Sequence, residues 1–126
     1  MPNVLEVGKK LVDLCRKQKN LEAIDTLYAQ NIVSVEPFTM GDMPQTQEGI
    51  KAIRGKHEWW YATHTIHSGK ATGPWPHGDR FIVHFKYDVT SKEGPMAGKR
   101  MTIDETGLYT VKDGKIVKEE FFYAME

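Results

Sequence analysis

Apolar side chains recur every three or four positions in the first half of the chain, a spacing that predicts helices. The first helix covers residues 4–18, and the basic residues at its end complement the helix dipole. The second is shorter, begins with Asn20 as its N-cap and carries apolar residues as far as Tyr28. The third covers residues 49–61, and residues 46–47 are available to cap it. Its apolar stripe consists of Ile50, Ile53, His57 and Tyr61, with Trp60 beside it.

From residue 65 onward apolar positions alternate with polar ones, and this period of two predicts strands. The predicted strands cover residues 65–72 and 79–91, and a hairpin covers residues 101–123. A shorter strand at residues 32–36 is ended by Pro37, because proline removes a backbone donor. Glycine and proline mark a loop at residues 38–46 and turns at residues 73–78 and 93–95.

The final hairpin places acidic residues among aromatic ones, and its register decides which of them share a face. Its turn is Asp113-Gly114, the strongest local signal for a hairpin. A two-residue turn pairs Thr110 with Val117, whereas a three-residue loop with a bulge pairs Tyr109 with Val117. The first register groups Asp104 with Leu108 and Glu119. We prefer the second, which assembles more apolar surface and groups Glu105, Tyr109, Val111, Val117, Glu119 and Phe121.

The composition is typical of a single globular domain spanning residues 1–126, with 40% hydrophobic and 27% charged residues. Basic and acidic residues number 17 each, and the resulting zero net charge argues against nucleic-acid binding. The single cysteine, Cys15, excludes an intrachain disulfide and a cysteine-rich zinc motif. Neither a secretory signal nor an apolar run long enough to cross a membrane occurs, so we expect a cytoplasmic protein.

Three short motifs occur in an order that resembles one family. LYAQNIV at residues 27–33 resembles the family's LYADDVV run, and GIKAI at residues 49–53 resembles its G-x-x-x-I helix start. DGKIV at residues 113–117 resembles its last hairpin. By their order and spacing, the chain is identified as a SnoaL-like member of the nuclear transport factor 2-like superfamily over nearly its whole length. The expected fold is α+β, a cone-shaped barrel of curved, mainly antiparallel sheet wrapped around three N-terminal helices.

The resemblance implies a pocket at the wide end of the cone and a homodimer formed through the outer face of the sheet. Residues such as Ile82, His84 and Phe122 would lie on that outer face. The superfamily includes ketosteroid isomerases, polyketide cyclases, limonene-epoxide hydrolases, scytalone dehydratase and non-catalytic binding proteins. Because one fold serves all of these functions, the fold does not identify the reaction.

One motif, Ser34-Val35-Glu36-Pro37, resembles the strand end that carries the proton-shuttling base of ketosteroid isomerases. A carboxylate held there by Pro37 beside apolar side chains would lose contact with water and become a better base. The alternative is an exposed glutamate without a catalytic role. The isomerases also need a tyrosine on the first helix, a position that falls at about Val12 here. The hydrogen-bond donors available to replace it are Tyr28, Trp60 and Tyr109.

The candidate site therefore combines carboxylates with aromatic side chains. The candidate catalytic residues are Glu36, Glu105 and Glu119, and the candidate substrate-binding residues are Tyr28, Trp59, Trp60, Phe85, Tyr87, Tyr109 and Phe121. The alternatives are that Glu105 and Glu119 form salt bridges on a solvated rim and that the aromatic residues form a core. The five histidines are spread over different elements, and although His64 and His67 are three apart, we expect no metal site.

Three functional hypotheses remain at this point. The first is a cofactor-free isomerase, cyclase or dehydratase that acts on a hydrophobic carbonyl compound, with Glu36 as base and Glu105 or Glu119 as acid. The second is a non-catalytic module that binds a hydrophobic small molecule. The third is a dimeric interaction protein whose pocket is filled by its own side chains.

Overall fold

Three helices pack against a six-stranded sheet in the computed structural model, which describes residues 2–39 and 42–124. The helices are α1 (Val4–Arg16), α2 (Asn20–Leu27) and α3 (Ile50–Thr63). The strands are β1 (Tyr28–Val35), β2 (Thr46–Glu48), β3 (His64–His77), β4 (Arg80–Ser91), β5 (Arg100–Lys112) and β6 (Lys115–Phe122). No helix within these described residues is long and apolar enough to cross a membrane.

The strands form one mixed sheet in the order β2-β1-β6-β5-β4-β3. All neighbours are antiparallel except β1 and β6, which run parallel. Since β2 and β3 are the two ends of this order, the sheet stays open rather than closing into a barrel. The α+β fold expected from the sequence, a mainly antiparallel sheet around three helices, is confirmed.

The core lies between the helices and the inner face of the sheet. In α1, the side chain of Asn3 accepts from the backbone N–H of Glu6 and caps the helix, while Val7 and Leu11 are buried. On β4 the buried residues occupy every second position apart from the partly buried Tyr87, so that the alternation seen in the sequence corresponds to an inner and an outer face. The inner residues of β4 are Phe81, Val83, Phe85 and Val89.

Several predicted helix boundaries are wrong. The first helix ends at Arg16, and Asn20 is the first residue of α2 rather than its cap, since Lys19 occupies that position without a side-chain hydrogen bond. Tyr28 begins β1 instead of ending α2. The residues expected to cap the third helix belong to β2, and Gly49 is the N-cap. Its φ of +91° lies in a region that glycine adopts without steric strain.

The predicted turn at residues 73–78 is also wrong, because β3 continues to His77. Pro76 pairs with Phe81 and His77 with Arg80, so the tight turn is reduced to Gly78 and Asp79. β3 is an edge strand and has a neighbour on one side only. A proline, which has no backbone N–H to donate, is tolerated at such an edge. The prolines that indicate a turn in the sequence are therefore compatible with a strand at this edge.

Candidate functional site

The register of the final hairpin combines features of both predicted alternatives. The turn has two residues, with φ of 53° at Asp113 and 77° at Gly114, and Lys112 pairs with Lys115. An irregularity beside Val111 then shifts the pairing, and Tyr109 lies opposite Glu119. Both predicted partners of Val117 are therefore wrong. The preferred inner face nevertheless forms, with Ile116 in place of Val117 and with Glu105, Tyr109, Val111, Glu119 and Phe121.

Glu119 lies at the centre of this inner face and is completely buried. Its Oε2 accepts a 2.5 Å hydrogen bond from the hydroxyl of Tyr28, which β1 places on the neighbouring strand. Its Oε1 has no hydrogen-bond partner among the described residues. Burial, followed by the nearby Glu119 carboxyl, raises the pKa of Tyr28 well above its usual value, so this hydroxyl keeps its proton.

Glu36 follows β1 and belongs to a second polar cluster. Its Oε1 lies 2.8 Å from Nζ of Lys56 on α3, and the side chains of both residues are about nine-tenths buried. The hydroxyl of Tyr123 donates to its Oε2 at 3.1 Å, and Lys56 also donates to Oγ of Ser34 at 2.8 Å. Burial raises the pKa of Tyr123, and the nearby carboxyl groups of Glu36 and Glu105 add to this effect. Glu36 is thus held by a cation and a hydroxyl.

Glu105 on β5 lies between the two clusters and differs from both other carboxyls. Burial raises its pKa from 4.5 to about 8, the Glu36 carboxylate adds to this effect, and the Lys56 ammonium partly opposes it. Glu119 makes a further, smaller contribution in the same direction. None of the hydrogen bonds between described residues involves Glu105. At neutral pH the group is therefore a protonated carboxyl with its proton free to be donated.

A cavity of about 40 Å³ opens beside Glu105, with room for roughly three water molecules. Six of the proposed site residues line it, whereas Glu36 and Glu119 lie outside its lining. Trp59 is exposed on the surface, and Trp60 stacks on His64, so neither indole contacts the cavity. The lining residues are Leu11, Cys15, Asn20, Ala23, Tyr28, His57, Phe85, Tyr87, Glu105, Tyr109 and Phe121.

The remaining histidines are dispersed, as the sequence suggested. His67 contacts the hydroxyl of Thr90 at 2.7 Å, and His84 contacts Asp104 on the outer face of the sheet. Within residues 2–39 and 42–124, no group of three or more histidine, cysteine, aspartate or glutamate side chains is placed to hold a metal ion.

Comparison with known families decides the classification. Residues 3–123 match the profile of the SnoaL-like domain, which is nearly the whole chain. The chain belongs to the SnoaL-like family. Among solved structures, this SnoaL-like protein is similar to a Mesorhizobium loti protein provisionally named a SnoaL-like polyketide cyclase. The two share 38% identity at a TM-score of 0.89, covering 97% of this chain and 100% of that one.

More distant structures show the same fold. A Jannaschia protein, also provisionally named a SnoaL-like polyketide cyclase, is 13% identical at a TM-score of 0.72, covering 94% of this chain and 83% of that one. A Catenulispora acidiphila protein with a ketosteroid isomerase-like fold, in complex with trimethylamine, is 18% identical at a TM-score of 0.69, covering 95% and 86%. None of the curated proteins with which the chain was compared matches it.

Some polar residues of this SnoaL-like site escaped the sequence analysis. Lys56 is three positions after the buried Ile53, a spacing that places it near the inward stripe of α3, although lysine is a residue type that is mostly exposed. Cys15 also lines the cavity, and burial together with Glu119 and Glu105 raises its pKa to about 12. It therefore remains a thiol and is a poor nucleophile.

Proposed function

We propose that this SnoaL-like protein is a cofactor-free acid–base catalyst of the isomerase or cyclase type, with Glu105 as its proton donor. The observation that carries the proposal is the position of Glu105, a partly buried carboxyl that lines the cavity and whose pKa is raised to about 8 by desolvation. A general acid works best when its pKa is close to the operating pH. Glu105 meets this requirement at neutral pH, because it is protonated yet able to lose its proton.

The surroundings of Glu105 support a donor rather than a carboxylate at this position. The Lys56–Glu36 pair, at 2.8 Å, supplies adjacent charges of both signs, and these have opposite effects on the pKa of Glu105. Removing water from the cavity strengthens a hydrogen bond from Glu105 to a substrate oxygen. Such a bond would stabilise the negative charge that develops on a carbonyl oxygen when the adjacent carbon loses a proton.

The substrate class follows from the chemistry and size of the cavity. Ring closure onto a ketone and movement of a double bond beside one both begin with loss of a proton from the carbon next to the carbonyl. The provisional name of the Mesorhizobium loti relative, polyketide cyclase, is consistent with a substrate of this kind. The aromatic lining favours an apolar compound, and about 40 Å³ accommodates a small carbonyl compound rather than a polycyclic one.

Exchange of ketone protons for deuterium tests this proposal. Acetone and cyclopentanone are incubated with the protein in D2O, and loss of the α-proton signal is followed by NMR. We expect exchange above the buffer rate, reduced by about 10²–10⁴-fold in Glu105→Gln. The exposed Glu93→Gln is the matched control and should exchange like the wild type. Equal rates in wild type and Glu105→Gln would rule out Glu105 as the acid.

The small size of the cavity favours a second candidate, a binding module whose pocket is largely filled by its own side chains. A ligand that binds the folded state raises the melting temperature by mass action. An apolar ketone that raises the melting temperature without any proton exchange would favour this candidate over the enzyme. Exchange that depends on Glu105 would exclude it.

We further propose a homodimer through the outer face of the sheet. Ile82 and Phe122 are 38% and 52% exposed there, and each follows a buried inner residue. Trp75 on the neighbouring edge strand is 53% exposed. Large exposed apolar side chains that lie together are typical of an interface. Light scattering at micromolar concentration should give a dimer for wild type and for the helix-surface control Leu5→Glu, and a monomer for Ile82→Glu. A monomeric wild type would refute this assembly.

A further inference from the structure

His57 on α3 faces the same cavity as Glu105, and one hydrogen bond fixes which of its ring nitrogens is free. Its Nδ1 lies 3.1 Å from the backbone oxygen of Ile53, one helical turn earlier. A carbonyl oxygen only accepts, so Nδ1 carries the hydrogen in this contact. In the neutral ring Nε2 then holds a lone pair, and it has no hydrogen-bond partner among the described residues.

The other ionisable groups that line the cavity retain their protons at neutral pH. Burial raises the pKa of Tyr28, Tyr87 and Tyr109 well above the usual value for tyrosine, and that of Cys15 to about 12. Glu105 is itself protonated below about pH 8. Among the described lining residues, the free nitrogen of His57 is thus the group best suited to accept a proton.

The sequence instead suggested Glu36 as the base, but its surroundings favour a different role. Its carboxylate is occupied by the ammonium of Lys56 at 2.8 Å and by the hydroxyl of Tyr123 at 3.1 Å. It also lies outside the lining of the cavity. Both oxygens of its carboxylate are already engaged by neighbouring side chains.

We propose that Nε2 of His57 is the base that removes the α-proton of the carbonyl substrate, while Glu105, which lines the same cavity, is the acid. This role rests on the proposed function above. Both side chains line one cavity of about 40 Å³, so a carbonyl compound bound there would lie beside both of them. Histidine is also the side chain that most often transfers protons near neutral pH.

The proton transfers balance within the site. The α-carbon–hydrogen bond breaks, and its proton passes to Nε2 of His57. Its electron pair forms the carbon–carbon double bond of the enol, and the carbonyl oxygen takes the proton of Glu105. When the enol returns to the ketone, the imidazolium gives a proton to carbon and the Glu105 carboxylate regains its own. Deuterium enters the ketone when the hydrogen on Nε2 exchanges with D2O before this return. Delivery to a different carbon completes an isomerisation, and no further reactant is consumed.

The test compares His57→Gln with the exposed control His77→Gln, using deuterium exchange of acetone and cyclopentanone. We expect His57→Gln to lower the maximal exchange rate by about 10²–10⁴-fold. The ketone concentration at which exchange reaches half of its maximal rate should change little. His77→Gln should match the wild type. In His57→Ala the lost ring leaves space, and added imidazole should restore part of the exchange. Nitrogen-15 NMR of the wild type should show the form of His57 with hydrogen on Nδ1.

The outcomes separate this inference from the proposed function. Exchange that depends on Glu105 but is unchanged in a folded His57→Gln would refute His57 as the base and leave the proposed function intact. Hydrogen on Nε2 of the neutral ring, or failure of imidazole to restore exchange in a folded His57→Ala, would also refute it. A wild type that exchanges neither ketone would overturn the proposed function and this role together.

Discussion

The hydroxyl of Tyr28 donates to Oε2 of Glu119 at 2.5 Å, across two parallel strands and between residues 91 positions apart. Tyr28 is 6% exposed and Glu119 is fully buried, so water contributes little to either group. The remaining carboxyl oxygen, Oε1, has no partner within the described part of the chain. Because an unpaired buried polar atom is costly, the bond from Tyr28 is the contact on which burial of this carboxyl depends.

Removing that donor should destabilise the fold. Tyr28→Phe deletes the hydroxyl that donates to Oε2 of Glu119, so that neither carboxyl oxygen keeps a hydrogen bond to a described residue. This loss should lower the free energy of unfolding by about 1–3 kcal/mol. Urea denaturation measures the change. Tyr61→Phe is the control, since the half-buried Tyr61 hydroxyl makes no hydrogen bond to a described residue and should change stability by less than about 0.5 kcal/mol. Equal losses in the two variants would contradict this role for Tyr28.

Stability should depend on pH through Glu105. Its pKa rises from 4.5 to about 8 on folding, so between these values the folded state binds more protons than the unfolded state. The favourable contribution of the protonated carboxyl is therefore complete below about pH 4.5 and is lost as the pH rises through about 8. Relative to Glu105→Gln, which does not titrate, the wild type should lose stability over this range and change little above about pH 9.

Urea denaturation at several pH values gives the free energy of unfolding of the wild type and of Glu105→Gln. Because both proteins contain the same histidines, the titration of the histidines cancels in the difference between the two free energies. A constant difference from about pH 5 to 8 would show that the pKa of Glu105 is not raised in the folded protein.

The buried ion pair of Lys56 and Glu36 should respond asymmetrically to mutation. Lys56→Met leaves Glu36 as a buried charge without its cation, and breaking such a pair typically costs about 3–5 kcal/mol. The double variant Lys56→Met/Glu36→Gln should recover part of that loss, because no uncompensated charge remains. Thermal or urea unfolding gives the double-mutant cycle.

A matched surface pair serves as its control. Lys17 and Asp13 lie 2.9 Å apart with side chains 57% and 60% exposed, and Lys17→Met should leave stability almost unchanged. Similar effects of Lys56→Met and Lys17→Met would mean that the Glu36 pair is screened by solvent.

Two glycines should respond to alanine in opposite directions. A Cβ on Gly107 would lie 2.7 Å from Cε2 of Tyr109, whose ring is packed against Phe81 and Phe121 and cannot easily move. Gly107→Ala should therefore cost about 1–3 kcal/mol. Gly55 lies inside α3 with no atom within 4 Å of such a Cβ, and Gly55→Ala should stabilise by about 0.5–1 kcal/mol. Calorimetric melting temperatures report both changes, and a destabilising Gly55→Ala or a neutral Gly107→Ala would contradict the close packing at Gly107 and the open space at Gly55.

The sequence by itself determined the features that depend on neighbouring residues. The change of apolar period from helical to alternating predicted three helices followed by long strands, and Asp113-Gly114 predicted the final turn. The predicted inner face of the hairpin is correct except that Ile116 takes the place of Val117, whereas both predicted strand pairings of Val117 are wrong. Local patterns suffice here because helices, tight turns and strand faces follow from spacings of two to four residues.

The tertiary structure decided which polar side chains meet. Lys56 reaches Glu36 only because α3 packs beside β1, and Tyr28 reaches Glu119 only because β1 and β6 are parallel neighbours. The shift near Val111, which aligns Tyr109 with Glu119, leaves no mark in the alternation. Contacts between residues 20 to 91 positions apart depend on strand order and helix packing, and these global properties are not expressed in any local pattern. For the same reason the raised pKa of Glu105 follows first from its burial in the fold and then from the distant Glu36 and Glu119, with the Lys56 ammonium opposing them, and not from the residues beside it in the sequence.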